Sequence, residues 1–149
     1  MEFKRMIASD INDIGQLAHE LWPDASLSEL FDDFNRMITS DNDAAFICRL
    51  EDHTPIAFAH VAIRNEYVEG TFTSPVGYLE GIYVRPAFRN RGFAKKLLTM
   101  GEGWVKDKGC VEFASDTELD NTVSQQFHKR SGFIEACRMI CYVKKLEHL

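Results

Sequence analysis

Two features of this sequence are chemically out of keeping with their surroundings. The first is Arg89-Asn90-Arg91-Gly92-Phe93-Ala94, a basic turn between an apolar run and an amphipathic one. The unpaired amides of a helix start and the positive end of its dipole make such a turn an anion site. Gly92 lets a ligand approach the backbone where a Cβ would collide. The turn is not a Walker loop, because Ala94-Lys95-Lys96 stands where Gly-Lys-Ser/Thr is required. Nor is it a dinucleotide fingerprint, which needs three glycines. The second feature is Glu80, set between Leu79 and Ile82 in an otherwise apolar segment. A carboxylate in that setting needs a partner, either a structural cation or a bound one. Asp116 closes another short apolar segment and is the natural companion acid.

The elements that must position these groups follow from pattern and punctuation. Residues 78–84 are β-branched and aromatic and read as a strand, which Arg85-Pro86 ends. Phe93, Leu97, Leu98, Gly101, Trp104 and Val105 form a helical stripe directly after the basic turn. Upstream, residues 2–7 read as a strand. Ser9 or Asp10 caps a helix over Ile11, Ile14, Leu17, Ala18 and Leu21, stopped by Pro23. A second helix spans residues 27–38, with Asp41-Asn42-Asp43 closing it. Residues 44–50 and 55–64 read as strands, residues 110–115 as another, and Asn121 or Thr122 starts a last helix that Gly132 terminates. Two strands, residues 133–137 and 138–145, complete the chain.

Two connections carry residues suited to ligands. Trp22, beside Pro23 at a helix end, is of a type that usually packs, but it lies in a connection rather than on a periodic face. The excursion over residues 64–75 is long for a hairpin and holds Glu66, Tyr67, Glu69 and Phe72.

With 149 residues, 45% of them hydrophobic, the chain is expected to form one domain over residues 1–149. A formal net charge of -6 argues against nucleic acid as the main partner and suits a cationic substrate. Cys48, Cys110, Cys137 and Cys141 lack metal-type spacing and read as reduced core thiols of a cytoplasmic protein, with no metal expected. No signal-type run opens the chain, and nothing is long enough to span a bilayer.

The strand Leu79-Glu80-Gly81-Ile82-Tyr83-Val84-Arg85-Pro86, the Arg89–Ala94 turn and the helical stripe together resemble the acetyl-CoA pyrophosphate loop, R/Q-x-x-G-x-G/A, of the GNAT N-acetyltransferases. Asn121-x-x-Ser124-x-x-x-His128-x-x-x-Gly132-Phe133 is similar to that family's N-x-x-A-x-x-x-Y-x-x-x-G-F signature. The resemblance covers the whole chain and implies an α/β (α+β) GNAT fold: one mixed, mostly antiparallel twisted sheet flanked by about four helices. It also implies acetyl-CoA as cosubstrate, contacted by Ile82, Tyr83, Val84, Arg89, Asn90, Arg91, Gly92, Phe93, Ala94 and Asn121. His128 holds the position of the family's Tyr, a general acid for the departing thiolate, and either takes that role or packs near the cofactor.

One branch is closer still. Leu21-Trp22-Pro23, Ile63-Arg64-x-x-Tyr67-Val68-x-Gly70, Thr73-Ser74-Pro75-Val76 and Ala114-Ser115-Asp116-Thr117 resemble the small chromosomal aminoglycoside 6'-N-acetyltransferases. That likeness places Trp22, Tyr67, Glu80 and Asp116 at the substrate. The branch's further acid aligns with Cys137, and Glu135, two residues earlier, is the nearest carboxylate. Under this reading Glu80 and Asp116 bind the ammonium of an aminoglycoside and take its proton, directly or through water, for attack on the thioester in a ternary complex. Antibiotic resistance and a homodimer are implied with it. The rivals are a GNAT enzyme acting on a polyamine or protein amine, and a non-catalytic acyl-CoA-binding module.

Overall fold

The computed structural model describes residues 1–147. It divides into two compact units, Met1–Asp116 and the residues from Thr117 onward. In the first unit the elements run β1 (Glu2–Arg5), α1 (Ile11–Leu21), α2 (Leu27–Met37), β2 (Asp43–Arg49), β3 (Pro55–Arg64), β4 (Val76–Val84), α3 (Phe93–Asp107) and β5 (Phe113–Ser115). The strands form one sheet in the order β1-β2-β3-β4-β5. The first four pair antiparallel, and β5 joins β4 parallel. This is the mixed, mostly antiparallel sheet that the family resemblance implies.

Helices cover both faces. On one, Ile14, Leu17 and Ala18 of α1 and Leu30 and Phe34 of α2 pack with Ala45, Ile47 and Phe58 of the sheet. On the other, α3 approaches so closely that a Cβ on Gly101 would lie 2.8 Å from the Val61 side chain. Ser26 caps α2 by accepting from the Glu29 amide. The helix ends at Met37, and Asp43 opens β2 rather than closing the helix.

Asp10 makes no capping bond to α1. It is buried, accepts from the Ile7 amide at 2.8 Å, and sits 2.8 Å from both Lys4 Nζ and Arg49 Nη1. Two cations and an amide satisfy the carboxylate better than helix amides could, and the cluster pins β1 and the start of α1 to the end of β2. Burial pushes the Asp10 carboxyl up, but these bonds outweigh it and leave it below its ordinary value. A lowered folded value means the contribution is present above about pH 4 and is lost as pH falls through the folded value. Asp10→Asn should therefore cost about 3 kcal/mol at pH 7, since it removes the buried carboxylate shared by Lys4 and Arg49 and leaves Arg49 with Asp13 as its close partner. In urea titrations the deficit should shrink toward pH 3; a deficit independent of pH would deny the cluster its charge.

The second unit is a lesson in helix punctuation. In α4 (Thr122–Arg130) the Asn121 side chain caps the start by accepting from the Ser124 amide at 3.1 Å. Gly132 takes φ 91° just past the end. The Gly132 amide donates to the Lys129 carbonyl and the Phe133 amide to that of His128, closing both orphan carbonyls.

The strands expected over 133–137 and 138–145 are not formed: residues 133–147 carry no regular structure among the described residues. A strand exists through its ladder, and none of the described residues pairs with this segment. Its large apolar side chains are exposed instead, Val143 at 93% and Ile140 at 76%. The cysteine expectation is corrected in part. All four are free, but only Cys48 and Cys110 are buried, while Cys137 and Cys141 lie on this exposed segment. Burial pushes the Cys48 thiol up to about 11, so it stays an inert core thiol. No described helix is long and apolar enough to cross a membrane.

Candidate active site

The pairing of β3 with β4 matches His60 to Gly81 but Val61 to Leu79, so Glu80 is an extra residue on β4. Such a bulge turns two successive side chains to one face. Its effect is visible in the glycines. A Cβ on Gly77 would strike Val105 of α3, whereas one on Gly81 would lie 2.5 Å from the Trp22 ring, against α1. Glycine at 81 is what lets Trp22 close over the bulge. Glu80 is thereby aimed into a cavity of about 590 Å³, lined by Trp22, Phe34, Asp43, His60 and others.

The Glu80 carboxylate is not alone there. Arg64 donates through Nε (3.0 Å) and Nη2 (2.7 Å) to Oε1, and through Nη2 (2.9 Å) to Oε2. The same guanidinium lies 3.5 Å from the Tyr78 ring centroid, and the Tyr78 hydroxyl donates to Asp116 at 2.8 Å. An unbroken chain, Glu80–Arg64–Tyr78–Asp116, thus joins the two acids singled out from the sequence. Burial and the Asp116 carboxylate push the Tyr78 phenol well above its ordinary range, so it remains a donor.

On the other edge of β4, pairing with β5 is confined to Gly77, Tyr78 and Leu79. Beyond Leu79 that edge has no strand partner among the described residues, leaving the backbone groups of alternate residues in the 81–84 stretch facing away from β3, with the Val84 carbonyl already accepting from Arg89. Just past the strand, Asn90 and Gly92 adopt φ 63° and 83°, and no side chain caps α3. The first intrahelical amide is that of Lys96, donating to the Gly92 carbonyl. The amides of Phe93, Ala94 and Lys95 therefore have no helix carbonyl to meet. A Cβ on Gly92 would find nothing within 4 Å among the described residues, so a ligand can approach the backbone there. These groups fit a polyanion. Arg89 is turned inward, donating from Nε to the Val84 carbonyl at 2.7 Å, while the Arg91 guanidinium lies 5.7 Å from the Phe88 ring centroid.

The loop before β4 is tied at one end. Glu112 accepts from the Phe72 and Thr73 amides (2.9 and 2.8 Å) and from the Thr73 hydroxyl. Tyr67 on that loop is exposed, with its hydroxyl 3.4 Å from Glu69.

A strand with one open edge that runs into an uncapped, glycine-started helix is the decisive arrangement, and the sequence comparison agrees. The model of the acetyltransferase (GNAT) family matches residues 11–133. The chain belongs to the GNAT family. Among its relatives, an aminoglycoside N(6')-acetyltransferase type 1 from Acinetobacter haemolyticus is 39% identical over 99% of this chain and 100% of its own length. An enzyme of the same name from Salmonella typhimurium LT2 is 39% identical over 97% and 99%. The solved structure of AAC(6')-Iy with the bisubstrate analogue CoA-S-monomethyl-acetylneamine superposes with a TM-score of 0.92 at 39% identity, covering 97% of both chains.

Of the GNAT residues named from sequence, Trp22 and Glu80 meet in one cavity, and Asp116 reaches Glu80 through Tyr78 and Arg64. Three others lie in the second unit. Asn121 serves α4 as its cap. His128 Nδ1 bonds the Ser124 carbonyl at 2.7 Å, and its ring packs on Phe127 and Phe133. Glu135 pairs with Arg138. Sequence reading missed Arg64 and Tyr78, although Arg64 falls within a stretch quoted for the resemblance and Tyr78 opens the strand read over 78–84. It also missed the pairing of Asp43 with His60, which lie on neighbouring strands 17 residues apart and so give no local signal.

Proposed function

We propose that the chain transfers an acetyl group from acetyl-CoA to a primary amine of an aminoglycoside, at the 6' position, and so confers resistance. The observation that carries this is Glu80 at the β4 bulge, linked to Asp116 through Arg64 and Tyr78, beside an edge and a helix start suited to the cosubstrate. The amides at Phe93, Ala94 and Lys95 would hold the pyrophosphate, with Asn90, Arg91 and Gly92 shaping its approach. The open edge at Ile82, Tyr83 and Val84 would take the pantetheine arm, and an amide there would stabilise the oxyanion that forms as the thioester carbonyl is attacked. Glu80 and Asp116 would attract and orient the polycationic acceptor, with Trp22 and Tyr67 covering its apolar sugar faces. Relatives whose names state this activity support the reading at 39% identity over nearly the full chain.

Asn121, His128 and Glu135 keep their family-inferred roles as proposals: cofactor contact, general acid and substrate acid. The family match runs across both units, which favours one functional domain over residues 1–149. Among the described residues no cluster of His, Cys, Asp or Glu suited to a metal ion occurs.

A panel of kanamycin, tobramycin, spermidine and an N-terminal peptide amine, assayed by thiol release from acetyl-CoA, tests the reading. Turnover confined to the drugs is the expected result. Preference for spermidine or the peptide would shift the substrate class, and no thiol release with any amine would leave only an acyl-CoA-binding module.

We also propose a homodimer. The exposed apolar residues Ile134, Ile140, Tyr142, Val143 and Leu146 form a segment that would gain both burial and a ladder against a second copy. Sedimentation at micromolar concentration should give the dimer mass, and a monomer there would rule the assembly out.

A further inference from the structure

Glu80 has a structural duty that complicates its use as a base, since Arg64 occupies both carboxylate oxygens. Proton removal nevertheless has to occur in the cavity where Glu80 sits, because an aminoglycoside ammonium cannot attack a thioester until it has lost a proton. The same cavity holds an imidazole that no step described so far employs. His60 projects from β3 on the α1/α2 side, directly across the ladder from Gly81 and next to the bulge that aims Glu80. Its Nε2 lies 2.9 Å from Asp43 Oδ1, and Asp43 Oδ2 accepts from the Ser40 hydroxyl at 3.1 Å.

That pairing fixes the chemistry of the ring. A carboxylate only accepts, so Nε2 carries the hydrogen and Nδ1 presents a lone pair. No hydrogen bond to Nδ1 is found among the described residues, nor is it a buried atom lacking a partner. It therefore faces the accessible space of the cavity. Phe34 packs edge-on to the ring at 6.0 Å and limits its rotation. The bond from His60 holds the Asp43 carboxyl below its ordinary range in spite of burial, so the carboxylate is charged and ready to stabilise an imidazolium. The other charged groups around the cavity are Asp33 and Arg36 of α2, which pair with each other, and Glu80 with Arg64.

We propose that His60, oriented by Asp43, is the proton acceptor for the substrate ammonium, while Glu80 holds that ammonium in place. This rests on the acetyltransferase reading above. An N–H bond of the ammonium breaks, its electron pair stays on nitrogen, and the proton passes to His60 Nδ1 across no more than one water. The freed lone pair forms the C–N bond to the thioester carbonyl, whose π electrons move to oxygen. When the carbonyl re-forms, the C–S bond breaks and sulfur leaves with its electrons. The second nitrogen proton ends on that sulfur, and His60 returns the first to solvent. The division of labour suits the two groups: the imidazole, tied to Asp43 through one nitrogen, offers the other as a base, whereas Arg64 engages both oxygens of Glu80.

The test is the pH dependence of kcat/KM for kanamycin in the wild type, His60→Gln, Asp43→Asn and His60→Ala, with acetyl-CoA calorimetry and urea midpoints for each. Wild type should show an acid limb. His60→Gln should lose that limb and about a hundredfold in kcat, with acetyl-CoA affinity unchanged. Asp43→Asn should fall between, and imidazole added to His60→Ala should restore turnover. An unaltered acid limb in His60→Gln would overturn the proposal. So would an activity loss that matches loss of folded protein and resists imidazole. Absence of wild-type turnover with any amine would instead remove the acetyltransferase reading itself, and this proposal with it.

Discussion

Gly92→Asp is expected to weaken acetyl-CoA binding by on the order of a thousandfold, about 4 kcal/mol, while the protein stays folded. The substitution is tolerable to the fold for two reasons. Aspartate enters the left-handed region more readily than most residues, and the position at φ 83° has no neighbour within 4 Å for a Cβ to strike. The damage is electrostatic and steric: the new carboxylate would stand at the open start of α3 and place like charge where the pyrophosphate must approach. Calorimetry should show no measurable heat of binding, and the thermal midpoint should fall only slightly, by the cost of a side chain held at positive φ. Wild-type affinity in a folded variant would end the reading of residues 89–94 as the phosphate cradle.

Glu80→Gln is expected to lower kcat/KM for tobramycin or kanamycin by roughly 10²–10³, with acetyl-CoA affinity nearly constant. Glutamine preserves the shape that the bulge imposes, so the effect is electrostatic. Removing the charge leaves the Arg64 guanidinium, now bonded bidentately to Glu80, uncompensated at the mouth where a cationic substrate enters. Asp116→Asn should act in the same direction but less strongly, since Asp116 reaches the cavity only through Tyr78 and Arg64. Steady-state kinetics beside cofactor titration separates the outcomes. Wild-type kcat/KM in both variants would take the acids out of the acceptor site. Equal losses of activity and cofactor affinity in Glu80→Gln would make Glu80 a structural partner of Arg64.

The sequence alone determined what local rules encode. Pro86 and Gly92 bound β4 and α3 because each acts on its own backbone, through a missing donor or a permitted φ. Gly132 ends α4 for the same reason, and the Asn121–Phe133 signature doubles as the punctuation of that helix, cap to cap. The anion site at 89–94 was legible because a helix start is built from consecutive residues. Glu80 could be singled out as a carboxylate in an apolar strand, but not what it meets.

Tertiary structure decided the partnerships, because these depend on register between segments far apart in the chain. One extra residue in the β3–β4 ladder turns Glu80 and Gly81 to the same face and brings Glu80, still held by Arg64, to one cavity with Trp22 and His60. Asp10 illustrates the same point: its type and position indicate a cap, yet Arg49, 39 residues later, claims it for a buried ion cluster. The final segment shows the converse. Its apolar residues spell strands, but a strand is a relation between two segments, and the pattern of one cannot supply the other.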